Sequence, residues 1–196
     1  MKLSIVSYLD ESATRTVRKL QRELSDLTGS KAALLSWEPH VTVGDGLDIA
    51  AEQLDTLRHE LAQAVANQPI FTLHTSRFGT FETRPLGRSE TSTPYVIYLD
   101  VQLSDPLDAL VQRIQTVTEC YDRWYTMVRP YTPHITLAFR DLDAAGFHKG
   151  LAYIQDKSGE LTSKIDHIAL VEKLENKDTE FQRLLFAADS EPRLVQ

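Results

Sequence analysis

Two short segments of the chain each place a histidine and a threonine two residues apart. The segment PHVTVG contains His40 and Thr42, and the segment PHITLAF contains His134 and Thr136. Each triplet follows a proline and alternates with aliphatic residues, which is the pattern of a half-buried β-strand. Because side chains alternate between the two faces of a strand, each histidine shares a face with its threonine, opposite the aliphatic residues.

Two such strands that face each other would place two imidazoles and two hydroxyls around one volume. The pKa of imidazole is about 6.5, so one histidine can be neutral at neutral pH while the other is protonated. The neutral ring can take a proton from water, the protonated ring can give one to a departing alkoxide, and threonine hydroxyls can donate to phosphoryl oxygens. The residue types therefore indicate phosphoester hydrolysis, for which we take His40 as the acid and His134 as the base.

Other uses of the two triplets remain open at this point. A single His-x-Thr triplet is common in strands by chance, and two chance copies in a structural protein would have no catalytic meaning. A metal site is a second alternative, but Asp and Glu do not recur at ligand spacing beside either triplet, and the chain contains no His-x-x-x-His pattern. We therefore predict that the protein needs no metal and no cofactor.

The composition narrows the class of protein. The chain has 196 residues, of which 42% are hydrophobic and 25% are charged, as in an ordinary globular protein. Its single cysteine, Cys120, excludes an internal disulfide framework and fits a reducing compartment. The formal net charge of −7 disfavours a long nucleic acid as partner, because binding of the phosphate backbone requires clustered Lys and Arg. A small anionic substrate remains compatible with this charge.

Neither a membrane span nor a secretion signal is visible in the sequence. No segment has the roughly 18 consecutive apolar residues of a span, and the apolar run in MKLSIVSYLDE is too short for a signal. We expect a cytoplasmic protein that is a monomer and does not bind membranes.

Strand and helix patterns are mixed along the whole chain. Strand patterns occur at LSIVSYL, PHVTVG, IFTLHTSRFGTF, PYVIYLDVQL, PHITLAF, SKIDHIALVEKL and EFQRLLFAA, and helical patterns at DESATRTVRKLQRELSDLTG, LDIAAEQLDTLRHELAQAVANQP, DPLDALVQRIQTVTECY and DLDAAGFHKGLAYIQDKSG. Gly29 is a stop signal for the first helix, and Asp105 is a candidate cap for the third. The segment ETRPLGRSETST predicts an exposed loop, and the last two strands predict a hairpin that turns near Glu175–Asp178.

The order of elements around the first triplet recurs around the second, and about half the chain separates the two histidines. This coarse repeat of strands mixed with helices predicts an α+β fold. We expect one bilobal domain over residues 1–196 that carries the motifs at 39–44 and 133–139. Two similar lobes that face each other would bring His40 and His134 together across a cleft.

The two motifs resemble the signature motifs of the 2H phosphoesterase superfamily, which includes the bacterial proteins called 2′-5′ RNA ligases and the eukaryotic 2′,3′-cyclic nucleotide phosphodiesterases. The resemblance extends over most of the chain through LSIVSYL, WEPHVTV, FGTF, PYVIYLDV and RPYTPHITLAF. It implies a bilobal, pseudo-twofold arrangement of two antiparallel sheets flanked by helices, with the active cleft between the lobes. It also implies that His40 and His134 are the catalytic pair and that Thr42 and Thr136 hold the phosphate.

The sequence departs from the family pattern beside each motif. Many relatives carry a basic residue soon after the second motif, whereas Phe139 stands at that place here and Arg140 follows it. Asp45 follows the first motif, where a carboxylate disfavours an anion unless it points away from the site.

Four further residues are candidates for contact with the substrate. Tyr131, Trp37 and Tyr8 lie on or near the motif strands and could stack on a base. Arg140 could contact the phosphate.

The combined interpretation is a metal-independent phosphoesterase that acts on a 2′,3′-cyclic phosphate or a 2′-5′ phosphodiester of a small nucleotide or an RNA end. Two alternatives share the fold. One is an RNA 2′-5′ end-joining ligase that runs the opening of the cyclic phosphate in reverse, and the other is a non-catalytic module that binds RNA or a nucleotide.

Overall fold

The structure of the chain is a computed structural model, which describes residues 1–82, 93–127, 130–174 and 178–187. Within these ranges the strands are β1 Lys2–Tyr8, β2 His40–Asp48, β3 Phe71–Phe81, β4 Val96–Val101, β5 Arg123–Tyr125, β6 His134–Ala138, β7 Leu161–Ile165, β8 His167–Glu172 and β9 Thr179–Leu185. The helices are α1 Glu11–Thr28, α2 Ala32–Ser36, α3 Leu54–Val65, α4 Asp105–Thr118 and α5 Ala144–Ile154.

The strands form two antiparallel sheets, as predicted for an α+β fold. One sheet has five strands in the order β5-β2-β1-β8-β9, and the other has four strands in the order β6-β4-β3-β7. The first motif therefore lies inside one sheet, on β2, and the second lies on β6 at the edge of the other. Each motif strand is paired with one neighbouring strand through its histidine and its threonine. His40 and Thr42 pair with residues of β1, and His134 and Thr136 pair with residues of β4.

The two lobes exchange helices. Strand β1 belongs to the five-stranded sheet, but α1, which follows it, packs against α5, β6 and β7 of the other lobe. Conversely, α4 follows β4 of the four-stranded sheet and packs against β2. Buried residues of both lobes form one hydrophobic core cluster, in which Ile5 and Val43 of one sheet join Ile97 and Leu99 of the other. The lobes thus cannot separate without exposing this core to water.

The first helix begins and ends as the sequence indicated. The side chain of Asp10 accepts a hydrogen bond from the Ala13 N–H at 2.9 Å, which caps the amino end of α1. Gly29 adopts the left-handed conformation with φ of 82° and closes the carboxyl end. The other carboxylate oxygen of Asp10 accepts from the Lys164 N–H of β7, so this cap also joins α1 to the four-stranded sheet.

Some expectations about the elements were wrong. The segment SKIDHIALVEKL is not one strand, because the chain breaks at Asp166 into β7, which pairs with β3, and β8, which pairs with β1. No glycine or proline marks this crossing between the sheets. The cap of α4 is Ser104, and Asp105 is the first residue inside that helix.

Helix α2 and strand β5 were not predicted, since both are shorter than the periodic patterns that identify an element. Strand β2 extends beyond its motif to Asp48. Most of the loop ETRPLGRSETST and the turn at 175–177 lie outside the described residues. None of the helices that the structure describes has the length and hydrophobicity needed to cross a bilayer.

Asp141, just after the second motif, joins the end of β6 to the start of α2. Its carboxylate accepts hydrogen bonds from the Ser30 hydroxyl at 2.7 Å and the Lys31 N–H at 2.8 Å, and the Ala32 N–H lies 3.2 Å away. This contact fixes the segment that leads into the first motif relative to the strand that carries the second.

We predict that Asp141→Ala lowers the free energy of unfolding by about 1–2 kcal/mol, because it leaves the Ser30 hydroxyl and two backbone donors without their acceptor. Denaturation by urea, followed by circular dichroism, measures this change. Asp156→Ala is the matched control, since Asp156 is exposed and its replacement should change stability by less than about 0.5 kcal/mol. Equal stability of the Asp141 variant and the control would contradict this role.

Candidate active site

The two motif strands face one cleft. The cleft has a volume of about 370 Å³ and is lined by His40 and Thr42 of β2 and by His134 and Thr136 of β6. All four side chains are half-buried, whereas the alternate residues of both strands are buried in the core. The structure therefore brings together the two imidazoles and two hydroxyls that the sequence placed on the exposed faces of the strands.

Both imidazoles are held by the same hydrogen bond. His40 Nδ1 lies 2.8 Å from the carbonyl oxygen of Glu38, and His134 Nδ1 lies 2.8 Å from the carbonyl oxygen of Thr132. A backbone carbonyl can only accept, so Nδ1 carries a hydrogen in both rings, and Nε2 carries the lone pair whenever the ring is neutral. Each motif thus fixes the tautomer and the orientation of its histidine through the carbonyl two residues earlier.

Each threonine is positioned by a side chain from the other half of the molecule. The Tyr131 hydroxyl, which precedes β6, donates to the carbonyl oxygen of Thr42 at 2.6 Å. The buried Gln21 amide of α1 donates to the carbonyl oxygen of Thr136 at 3.0 Å. Tyr131 lines the cleft, and its hydroxyl forms this hydrogen bond with β2, the strand that carries the first motif.

Two aromatic residues flank the ring of His40. The Trp37 ring stacks on the imidazole with centroids 4.4 Å apart and an angle of 27° between the planes. The Tyr8 ring meets it edge-on at 6.4 Å. Trp37 also lines the cleft, so its ring both covers the imidazole and faces the space in which a substrate would bind. Tyr8 lines a neighbouring cavity, beside His167, and is not among the described residues of the cleft.

Burial lowers the pKa of His40 from 6.5 to about 4. The positive charges of His134, Lys173 and Arg18 act in the same direction, while the hydrogen bond to the Glu38 carbonyl opposes them. His40 is therefore neutral at pH 7.

Different rings surround the second histidine. The ring of Phe81 meets the His134 imidazole nearly edge-on at 5.3 Å, and the Tyr98 ring lies 5.1 Å away at an angle of 53°. Both residues come from the central strands of the four-stranded sheet. The two histidines thus share a tautomer but differ in their neighbours.

Arg18 of α1 holds the segment that precedes the first motif. Its guanidinium donates to the carbonyl oxygens of Leu34 and Trp37, both at 2.7 Å, and forms an ion pair with the Glu38 carboxylate at 3.1 Å. Because the Glu38 carbonyl orients His40, Arg18 positions the imidazole indirectly. The sequence did not identify this arginine, since its role depends on the path of the chain through α2.

Of the two charged residues that depart from the family pattern, one points away from the cleft and one lines it. Asp45 points away from the cleft, since it is buried and its carboxylate accepts from the Met127 N–H at 2.7 Å and pairs with Arg123 at 3.0 Å. Arg140 lines the cleft directly after β6, with a left-handed φ of 60°. Both positions are compatible with an anion in the cleft.

Two further parts of the cleft were not predicted. Lys173, at the end of β8, lines it with an ammonium 4.1 Å from the centre of the Trp37 ring. Trp124 of β5 lines it at the other end of β2, where its ring lies so close to Gly46 that an added Cβ would be 2.6 Å from it. No sequence pattern indicates that either residue reaches the cleft, because Lys173 ends an apolar run and Trp124 belongs to a three-residue strand.

Among the residues that the structure describes, no three His, Cys, Asp or Glu side chains are grouped so that they could hold a metal ion.

Comparison with known proteins gives a family and a fold. The model of the 2′-5′ RNA ligase superfamily matches residues 8–177. TT0787 of Thermus thermophilus has a TM-score of 0.68 and 17% identity, covering 96% of this chain and 100% of that chain. E. coli LigT complexed with 3′-AMP has a TM-score of 0.61 and 18% identity, covering 95% and 98%. Further structures of LigT are complexes with phosphate, ATP and NADP⁺. No curated protein sequence matches the chain.

We predict that the His40 imidazole titrates near pH 4 in the free protein and that inorganic phosphate raises its pKa, because an adjacent anion favours the charged ring. Carbon-13 NMR of the histidine rings, with and without phosphate, measures both values. His59, which is exposed on α3, is the internal control and should not respond to phosphate. A His40 pKa of about 6.5 that phosphate leaves unchanged would contradict the burial of this ring beside an anion site.

Proposed function

This chain belongs to the 2′-5′ RNA ligase superfamily, and we propose that it is a metal-independent phosphoesterase that hydrolyses a 2′,3′-cyclic phosphate or a 2′-5′ phosphodiester on a nucleotide or RNA end. The observation that carries the proposal is the pair of imidazoles in one cleft, each fixed in the same tautomer by a carbonyl and each beside a threonine. General acid and base catalysis by such groups is worth about 10²–10⁴-fold for each.

The lowered pKa of His40 suggests the direction of the proton transfers. A neutral His40 takes a proton from water at Nε2 as the water oxygen attacks phosphorus. The bond from phosphorus to one ribose oxygen breaks, and protonated His134 gives its proton to that oxygen, so that no charge is left on the alcohol. The pKa of His40, lowered to about 4, supports its role as base and reverses the assignment expected from the sequence.

The threonines act on the phosphate. Their hydroxyls share the cleft with the imidazoles and donate to the non-bridging phosphoryl oxygens, where negative charge is held in the transition state. The hydrogen bonds that Tyr131 and Gln21 donate to the threonine carbonyl oxygens fix the backbone at both positions. The threonines therefore need little movement during the reaction.

A small nucleotide or the end of an RNA fits the cleft better than a long duplex. The volume of about 370 Å³ lies in the range of small-molecule sites, and the formal net charge of −7 disfavours extended contact with a phosphate backbone. The complexes of LigT with 3′-AMP, ATP and NADP⁺ support a ligand of this class. Trp124 and the part of Trp37 that faces the cleft are two of the aromatic surfaces in its lining, and a base can stack on them.

The family description also names a ligase. In that reaction a 5′-hydroxyl replaces water as the attacking group on the cyclic phosphate, and the same two imidazoles transfer the protons. The two functions differ in the attacking group, so they are separated by adding an RNA with a free 5′-hydroxyl and looking for a joined product.

A substrate screen in the presence of EDTA tests the proposal. We expect turnover of 2′,3′-cyclic nucleotides or 2′-5′ oligonucleotides, little turnover of 3′-5′ controls, and the same rate with and without the chelator, because both proton transfers are assigned to imidazoles. Product analysis by chromatography measures all three. Activity that EDTA abolishes and Mg²⁺ or Zn²⁺ restores would assign the reaction to metal-assisted hydrolysis instead.

Substitutions of the four central residues test the roles. We expect His40→Ala and His134→Ala each to lower kcat by at least about 10²-fold, and the double variant to be little worse than either, because the pair acts as a unit. Thr42→Ala and Thr136→Ala should each raise the barrier by about 1–3 kcal/mol through loss of a donor to a charged group. His59→Ala is the control and should retain full activity.

The same variants separate the acid from the base. A substrate with an activated leaving group needs little help from an acid, so it should rescue His134→Ala far more than His40→Ala. Rescue of His40→Ala alone would reverse the two roles. A non-catalytic binding module is the conclusion if the wild-type protein binds nucleotides but turns over none of the substrates.

A further inference from the structure

The cleft has a basic end that the two histidines and two threonines do not account for. Lys173 and Arg140 both line the cleft. Burial lowers the pKa of Lys173, and the charge of Arg140 acts in the same direction, as expected for two cations that line one cleft. The ammonium of Lys173 and the imidazole of His40 both contact Trp37, at 4.1 Å and 4.4 Å from its ring centre. The basic end therefore begins one indole ring away from the catalytic base.

An ion pair with a residue of the neighbouring cavity holds Lys173 in place. Its ammonium forms an ion pair with Asp178, and both side chains are largely buried, with 13% and 7% of their surfaces exposed. Asp178 lines the neighbouring cavity and is not among the described residues of the catalytic cleft. An ammonium has three donors, so its bond to Asp178 leaves capacity for an anion on the side of the cleft.

The protonation state of Lys173 fits this geometry. Burial lowers the pKa of Lys173 to about 8, and the Asp178 carboxylate opposes that effect. The ammonium is accordingly charged at pH 7, and an anion bound beside it would raise the pKa again.

Arg140 approaches the same end of the cleft from the other lobe. It follows β6 directly, in a turn with a left-handed φ of 60° whose carbonyl accepts from the Thr93 N–H at 2.8 Å. Its guanidinium carbon lies 4.8 Å from the centre of the Phe139 ring. The turn thus brings a cation that follows the second motif strand to the cleft that Lys173 also lines.

Acidic side chains do not cancel these charges inside the cleft. Among the described lining residues Glu38 is the one carboxylate, and it is paired with Arg18. The Asp178 carboxylate offsets the charge of Lys173 but is not among the described lining residues of the cleft. The charge of Arg140 adds to that ion pair, so this end of the cleft favours a second anion.

We propose that Lys173 and Arg140 bind a second phosphate of the substrate, carried on the 5′ oxygen of the nucleoside whose 2′,3′ phosphate lies between the histidines. This inference rests on the proposed function. The cyclic phosphate occupies the 2′ and 3′ oxygens of the ribose, so the 5′ oxygen is the remaining ribose position that can carry a phosphate. That phosphate is either a terminal 5′-monophosphate or the diester that links the nucleoside to the preceding nucleotide of an RNA end.

Three substrates test the proposal. They are adenosine 2′,3′-cyclic phosphate with a free 5′-hydroxyl, the same compound with a 5′-phosphate, and the dinucleotide ApA that ends in a 2′,3′-cyclic phosphate. We expect kcat/KM of the wild-type protein to be about tenfold or more higher for the two compounds with a 5′ phosphate, as for a charge-assisted contact. The better of these two identifies the source of the phosphate.

The variants are read as a ratio of kcat/KM values between substrates, which cancels any general effect on catalysis. Lys173→Met and Arg140→Gln should each reduce the preference for a 5′ phosphate, and together should bring the ratio close to 1. Lys173→Met leaves Asp178 buried without its partner, so Lys173→Met combined with Asp178→Asn is included, with thermal unfolding measured for each protein. Lys149→Met, at an exposed position of α5, is the matched control and should keep the wild-type ratio.

Different results would overturn the second phosphate site and the proposed hydrolysis. Equal kcat/KM for all three substrates in the wild-type protein, or a preference that the Lys173 and Arg140 variants retain, overturns the second phosphate site. If the wild-type protein turns over none of them, the proposed hydrolysis fails, and the site is tested by affinity instead. Calorimetry should then give tighter binding of adenosine 3′,5′-bisphosphate than of 3′-AMP, with the difference lost in Lys173→Met/Asp178→Asn, and equal affinities would overturn the inference.

Discussion

The proposed catalytic groups come from two different sheets, so the candidate site depends on the shared core that fixes one sheet against the other. Strand β2 and strand β6 are not paired with each other, and the helices α1 and α4 cross from the lobe in which they begin to the lobe that they cover. Burial of this common core is worth far more than any single polar contact in the cleft. Polar contacts such as those of Gln21 and Tyr131 with the threonine carbonyls then fix the final geometry.

Acidic side chains near the cleft stabilise it without entering it. Asp45 pairs with Arg123 and accepts from the Met127 N–H, Asp141 joins β6 to α2, and Asp178 holds Lys173. None of these three carboxylates is among the described lining residues of the cleft, and each is engaged by a donor, so its charge is used for structure. An acidic protein can in this way present a cleft whose free groups suit an anion.

The motif strands were predictable because their information is local. Alternation with a period of two decides which side chains share a face, and His40, Thr42, His134 and Thr136 indeed line the cleft. The limits of α1 were also predictable, since Asp10 and Gly29 act on their own helix.

The remaining features depend on how distant segments meet. Lys173 reaches the cleft only because the chain crosses between the sheets at Asp166 and inserts β8 beside β1, and no local signal marks that crossing. The stacking of Trp37 on the His40 imidazole was not predicted for a similar reason, since the path of the chain through α2 determines it. Tertiary packing, not propensity, determines these contacts.

The proposed mechanism makes one imidazole a base and the other an acid, although the two motifs are nearly symmetric. Identical triplets with identical Nδ1 bonds would give identical rings, so the difference must come from the surroundings. His40 lies under the Trp37 ring and near Lys173 and Arg18, and its pKa falls to about 4.

On the neighbouring strand, Tyr8 lies opposite His40, whereas Asp100 lies opposite His134. The carboxylate of Asp100 forms an ion pair with Arg77 at 2.7 Å. Rings surround both histidines, but the first motif lies near the cations Lys173 and Arg18, whereas the second lies beside a strand that carries a paired carboxylate. A duplicated strand can supply two chemically equal groups, but only the unequal packing of the two lobes around them can assign one to accept a proton and the other to donate it.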